Sequence, residues 1–270
     1  MASSKKRLDL IIFEKGYFDS REKARIAIME GKVIVNGQKE DKPGTMVKGD
    51  AIITIKDDKL KYVSRGGYKL EKAINIFNID LNDKVCIDIG SSTGGFTDCM
   101  LKNGAKKVFA VDCGTNQLDY GLRTNEKVKV MENTNARYLT YDDINEKVDF
   151  ITADVSFISL KHIIPVVKNL LKDNGESVML IKPQFEAGKD KVLKHGIIKD
   201  KNVHEEVINK VINFCNDENL FVYNVSFSPI KGPAGNIEYL IYIGKIDNLN
   251  LFNEKKVSSI VEESHNELEK

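Results

Sequence analysis

From residue 84 onward, short apolar runs alternate with helical patterns. The first run, Lys84-Val-Cys-Ile-Asp-Ile-Gly90, closes on the Gly-rich turn Asp88-Ile-Gly90-Ser91-Ser92-Thr-Gly94-Gly95-Phe96-Thr97-Asp98. A strand that runs through such a turn into a helix is the opening unit of a doubly wound α/β fold, in which helical crossovers keep the strands parallel and ligands sit at their carboxyl ends. The alternation predicts strands at 84–89, 107–112, 127–131, 148–153, 176–181, 221–228 and 237–244, with a helix at 67–78 before them. A loop joins the last two strands, which suggests an antiparallel final hairpin. With 270 residues and typical domains of about 150, two domains are expected.

The front of the chain differs in charge and pattern. Residues 1–60 hold 13 Lys/Arg against 10 Asp/Glu, and extension to residue 72 gives 17 against 11, whereas the whole chain is formally only +1. Any footprint for a polyanion is therefore local. Ser20 precedes a short helix ending at Gly31, Asn36-Gly37 signals a type I′ hairpin turn, and a strand from Asp50 to Ile55 follows the Pro43-Gly44 turn. The strings Ser20-Arg-Glu-Lys-Ala-Arg25, Gly31-Lys-Val-Ile-Val-Asn-Gly37 and Lys42-Pro-Gly-Thr-Met-Val-Lys-Gly-Asp50 resemble the S4-type RNA-binding domain over about residues 6–56. That resemblance implies RNA contacts from Arg21 and Arg25, one turn apart, with Lys23 and Lys32 nearby; Arg7 and, outside the resemblance in Ser64-Arg65-Gly66-Gly67, Arg65 are further expected RNA contacts. The expected organisation is an α+β S4-type domain at 1–58, a linker at 59–64, the α/β domain at 65–246 and an acidic helical tail at 247–270.

The chain contains no apolar run of 18 or more residues, and its start carries acids and a Gly where a secretion signal needs a continuous apolar region. A pore-forming role thus has no support, and a cytoplasmic monomer that stays off membranes is expected. Cys86, Cys99, Cys113 and Cys215 form no C-x-x-C pair, so they read as reduced small hydrophobes, Cys86 and Cys113 inside strands, and no metal is expected.

The Gly-rich turn is not G-x-G-x-x-G, since Ser92 stands where a dinucleotide's pyrophosphate needs glycine. Asp112 lies 22 residues past Gly90, where a carboxylate can accept both ribose hydroxyls of an adenosine. A ribose-bearing cofactor without pyrophosphate fits, and S-adenosylmethionine is the expected one. Asp88, Gly90, Ser91, Ser92, Gly94, Gly95, Phe96 and Thr97 would surround its amino-acid end, Asp112 its ribose, and Asn135-Ala136-Arg137 its adenine, with Asp154 facing the methyl group.

Asp154-Val-Ser-Phe ends the fourth strand without the prolines of amine methylators, and Lys182-Pro-Gln-Phe-Glu ends the fifth. This pairing favours a hydroxyl acceptor. A lysine can take a hydroxyl proton only when neutral, so its pKa must fall from about 10.4 at about 1.4 kcal/mol per unit. A second lysine and burial push that way while carboxylates push back. Lys69 and Glu238 complete the order Lys…Asp…Lys…Glu.

With the Gly-rich turn, this order resembles the FtsJ-like ribose 2′-O-methyltransferases. The resemblance implies a Rossmann-like class I S-adenosylmethionine-dependent domain, a seven-stranded mostly parallel sheet, with Lys69, Asp154, Lys182 and Glu238 as catalytic tetrad. With the S4-type module in front, nearly the whole chain resembles the TlyA, or hemolysin-A, family of rRNA methyltransferases, which implies methylation of cytidine 2′-hydroxyls in ribosomal RNA within ribosomal subunits. A catalytically silent RNA chaperone and a pseudouridine-forming enzyme are the rival readings; the first has no need of the tetrad, and the second needs a different β-rich domain.

Overall fold

The computed structural model describes residues 5–18, 20–55, 60–188, 196–247 and 252–269. The chain divides into two compact units, residues 1–60 and 61–270.

In the first unit the order is β1 (Lys5–Arg7), α1 (Leu8–Glu14), α2 (Arg21–Met29), β2 (Val33–Val35), β3 (Gln38–Glu40), β4 (Met46–Lys48) and β5 (Ile53–Ile55). The Ser20 side chain accepts the Lys23 N–H and so starts α2. Asn36 at φ 50° and Gly37 at φ 83° make the left-handed pair that joins β2 to β3. β2 is flanked antiparallel by β3 and β5, and β1 pairs antiparallel with β4. The strand expected from Asp50 to Ile55 is shorter, because a turn closed by Ala51 N–H on Lys48 O separates β4 from β5. Leu8, Ile11 and Ile12 of α1 close the small core against Ala24, Ile28, Val33, Val35 and Val47.

The second unit runs α3 (Gly66–Phe77), β6 (Val85–Ile89), α4 (Gly95–Lys102), β7 (Lys107–Val111), α5 (Tyr120–Arg123), β8 (Val128–Met131), α6 (Tyr141–Ile144) and β9 (Val148–Ala153). It continues with α7 (Ile164–Leu170), β10 (Leu171–Ile181), α8 (Pro183–Glu186), α9 (Lys201–Asp217), β11 (Phe221–Phe227), β12 (Tyr239–Gly244) and α10 (Val257–Leu268). Its seven strands lie in the order β11-β12-β10-β9-β6-β7-β8. β12 is antiparallel to both neighbours and lies between β10 and β11, so the last hairpin closes one edge of the sheet with β11 outermost. β10 starts at Leu171, ahead of the expected 176, and crosses a register shift before pairing regularly from Glu176.

Strand parity builds two apolar layers. Cys86, Val108, Phe150, Val178 and Leu240 face Leu70, Ala73, Cys99 and Met100 of α3 and α4. Ile87, Phe109, Ile151, Met179 and Ile241 face Ile164, Val167, Val211 and Val261 on the other side. The tail thus docks through α10, whose Val257 and Val261 are buried. Residues 61–64, expected as linker, also belong to this unit: Tyr62 is buried at 2% exposure, and Val63 N–H donates to Asp98. Cys113 lies beyond β7 and is exposed, not inside a strand as expected, because the strand stops at Val111.

Ile151 is fully buried at the centre of the sheet. Ile151→Ala should cost about 2–5 kcal/mol, seen as a lower urea midpoint for the full chain's larger unit.

Candidate active site

β6 and β9 are neighbours, and the chain leaves them toward opposite flanks of the sheet, the position where an open α/β sheet splays a crevice. Gly90, one residue past β6, has φ 81°, and a Cβ there would stand 2.6 Å from Asp154 O, one residue past β9. Glycine is therefore required by both conformation and space.

Four of the expected residues converge at this edge. Lys69 comes from the first turn of α3, Asp154 and Lys182 each follow their strand by one residue, and Glu238 precedes β12 by one. Since β12 runs antiparallel, its beginning lies where its neighbours end, which brings Glu238 to the same rim. Lys69 Nζ lies 2.7 Å from Glu238 Oε2 and 3.3 Å from Asp154 Oδ2, and Lys182 Nζ lies 2.6 Å from Asp154 Oδ1. Lys182 Nζ also donates to Ser156 Oγ at 3.1 Å. Glu238 pairs with Lys69 at 1% exposure, and Gly232 packs against its carboxylate. Burial alone would lower the Lys69 pKa, but Asp154 and Glu238 together outweigh it and hold the ammonium above its usual range. Burial would likewise raise Asp154, yet the two lysines keep it below the ordinary carboxylate value.

Two clefts meet at Gly90, Ser92 and Asp154. The larger, about 490 Å³, is lined by Asp112, Asn135, Ala136 and Arg137, with Ile158 and Ile163 as apolar wall. Asp112 takes Ser92 N–H on Oδ2 at 2.8 Å and Gly114 N–H on Oδ1 at 2.7 Å, which fixes the carboxylate while leaving lone pairs on both oxygens. An anchored carboxylate at one end and an apolar slot at the other suit a nucleoside. The smaller cleft is lined by Arg65, Lys69, Ser91, Gly95, Phe96 and Lys231.

Asp88, Gly94 and Thr97, expected at the cofactor, line neither cleft. Asp88 shares the parity of Cys86 and so points under α4, where it accepts Thr97 N–H and Oγ1–H on one oxygen and Thr152 Oγ1–H on the other. It ties the Gly-rich turn to the sheet from beneath. Gly94 is pressed against Leu118 and Leu122.

The sequence reading missed Phe157, which stands at φ 61° and 89% exposed on the wall of the larger cleft, its ring 5.0 Å from Phe185. The only signal was an aromatic directly after the Val155-Ser156 of a strand-end loop.

In the first unit, the basic residues are held differently from expectation. Fully buried Asp9 takes Arg7 at 3.0 Å and Arg21 at 2.9 Å, leaving each arginine about half exposed. Arg25 faces Glu22 at 3.3 Å on the surface of α2, Lys32 pairs with Glu30, and Lys23 lies in the first turn of α2.

The sheet order and the ion cluster at its rim define a Rossmann-like class I methyltransferase. The chain belongs to the FtsJ-like methyltransferase family, matched over residues 62–245, with an S4 domain matched at 6–53, and it is 45% identical over 87% of its length, and 98% of the relative's, to the Brachyspira hyodysenteriae protein named "Hemolysin A". It is 47% identical over 99% of its length, and 97% of the relative's, to the Bacillus subtilis protein named "Putative rRNA methyltransferase YqxC". Identity is 37% over 88% of the chain and 89% of the relative for the Mycobacterium tuberculosis 16S/23S rRNA (cytidine-2'-O)-methyltransferase TlyA. A solved structure described as "Putative hemolysin from Streptococcus thermophilus" superposes with a TM-score of 0.78 at 43% identity, covering 99% of this chain and 98% of that one.

Burial pushes the Asp88 carboxyl from 3.8 up to about 6, against the bonds from Thr97 and Thr152. Between those values the folded state holds the proton more readily than the unfolded chain, so this group's contribution to stability falls as pH rises through about 4 to about 6. Urea unfolding at a series of pH values should show that decline in the wild type relative to Asp88→Asn, whose difference curve isolates the group.

Proposed function

We propose that the protein transfers a methyl group from S-adenosylmethionine to the ribose 2′-hydroxyl of a cytidine in ribosomal RNA. It would act in the cytoplasm on RNA within ribosomal subunits. The observation that carries this reading is the buried cluster Lys69–Asp154–Lys182–Glu238 beside the Gly90 turn. The rRNA and cytidine come from the name of the Mycobacterium tuberculosis relative.

S-Adenosylmethionine would supply an electrophilic methyl group on a sulfonium, with Asp112 accepting its ribose hydroxyls and the Asn135–Arg137 turn bordering the adenine. The acceptor hydroxyl must lose a proton as its oxygen attacks, and the two lysines are not equivalent for that task. Lys69 sits between two carboxylates and stays protonated, so it serves as a fixed positive charge. Lys182 faces one carboxylate and the Ser156 hydroxyl, and its Nζ takes the proton as the base. Asp154 orients both amines, and Glu238 acts through Lys69. Phe157 offers an open aromatic face on which the acceptor's base can stack. Residues 1–58 would supply affinity for phosphates, with Arg25 and the exposed halves of Arg7 and Arg21 as contacts beside Lys23 and Lys32, while Arg65 contacts RNA from the second unit.

Lys182→Ala should abolish 2′-O-methylation of rRNA while leaving calorimetric S-adenosylmethionine affinity near wild type. Asp112→Ala should instead weaken the cofactor by about 1.5–3 kcal/mol. A base-methylated nucleoside found by mass spectrometry, or near-wild-type single-turnover rates for Lys182→Ala, would overturn the reading. Arg25→Ala, which leaves the Asp9 clasp intact, should lower the salt slope of RNA binding by about one unit without changing cofactor affinity.

A further inference from the structure

Behind the reactive edge stands a second buried carboxylate that the tetrad does not use. Glu186 ends the short helix α8 that begins next to Lys182, and it is 4% exposed. Among the described residues, its side chain pairs with Ser159 and Leu160 and with no lysine. One oxygen, Oε2, accepts Ser159 Oγ–H at 2.7 Å and the other, Oε1, accepts Leu160 N–H at 2.6 Å. Both donors sit at the far end of the loop that leaves β9 through Asp154, Ser156 and Phe157. Ser159 in turn caps the 3₁₀ turn Leu160–His162 by accepting Lys161 N–H. The backbone of Glu186 is itself pinned, since Lys210 of α9 donates to its carbonyl at 2.8 Å.

The loop is thus held at two points. Asp154 N–H on Ile89 O anchors its start to β6, and Glu186 anchors its end to α8. Between the anchors lies Phe157, in a left-handed conformation that a bulky side chain does not adopt unless its surroundings impose it. The Phe185 ring that abuts Phe157 belongs to the residue just before Glu186. One short helix therefore carries both the brace and the ring that meets Phe157.

Resting on the proposed function, we propose that Glu186 is a positioning residue that fixes the 154–160 loop and so holds Phe157 at the height where the acceptor's base stacks. It touches neither cofactor nor acceptor. It acts on acceptor affinity by preventing the lip of the cleft from sampling open conformations.

The chain contains no tryptophan, so Phe157→Trp introduces a single fluorophore at the lip. In that background, adding Glu186→Ala should lower steady-state anisotropy and increase acrylamide quenching, a readout independent of methylation. Adding Glu186→Gln should keep both at the starting values, because the amide can accept Leu160 N–H and donate to Ser159 Oγ. With native Phe157, Glu186→Ala should raise KM for rRNA about tenfold, the equivalent of about 1.4 kcal/mol, with cofactor affinity unchanged and Glu186→Gln near wild type. If Glu186→Ala does not fold, Ser159→Ala, which removes one of the two bonds from the loop side, should give a smaller loss of anisotropy. Unchanged anisotropy in the folded variant overturns the brace. Loss of anisotropy without any methylation by the wild type would instead overturn the proposed function and leave the brace standing.

Discussion

Asp154 shares its carboxylate between two buried lysine amines, and much of the second unit is arranged so that this can happen. Removing charges from water costs several kcal/mol per ion unless partners are placed closely. Here two lysines and two carboxylates balance formally, and each arrives from a different element: α3, the end of β9, the end of β10 and the start of β12. An elongated sheet alone cannot do this. The insertion of β12 against the direction of its neighbours delivers Glu238 to the rim, and the packing of α3 on the sheet through Leu70 and Ala73 fixes the height of Lys69.

The asymmetry within this cluster separates the roles of two like residues. Lys69 lies between two carboxylates, which hold its ammonium above the usual range, whereas Lys182 meets one carboxylate and the Ser156 hydroxyl. In the proposed reaction chemically identical side chains take different tasks, distinguished by the number of anions each one meets.

Much of this was legible in the sequence because it depends on local chemistry. The Gly-rich turn, the Asn36-Gly37 hairpin and the Ser20 cap require particular residue types, and each stands where expected. Strand ends were legible too, so Asp154 and Lys182 could be placed on one rim before any contact was known. What escaped was whatever depends on distant partners. Asp88 was assigned to the cofactor although its parity with Cys86 directs it beneath α4. Arg21 read as a free cation because Asp9, its clasp, lies twelve residues away on another helix. Glu186 and Phe157 carried no spacing signal, since their meaning lies in a loop that returns to α8 by tertiary packing.

The backbone contact between Gly90 and Asp154 O has a thermodynamic corollary. The loop that borders the nucleoside cleft and the loop that carries the acceptor-facing carboxylate touch without any side chain between them. A displacement of either is passed to the other with no compressible layer to absorb it. If occupancy on one side moves its loop, affinity on the other side changes with it, and by linkage the two effects are equal in free energy.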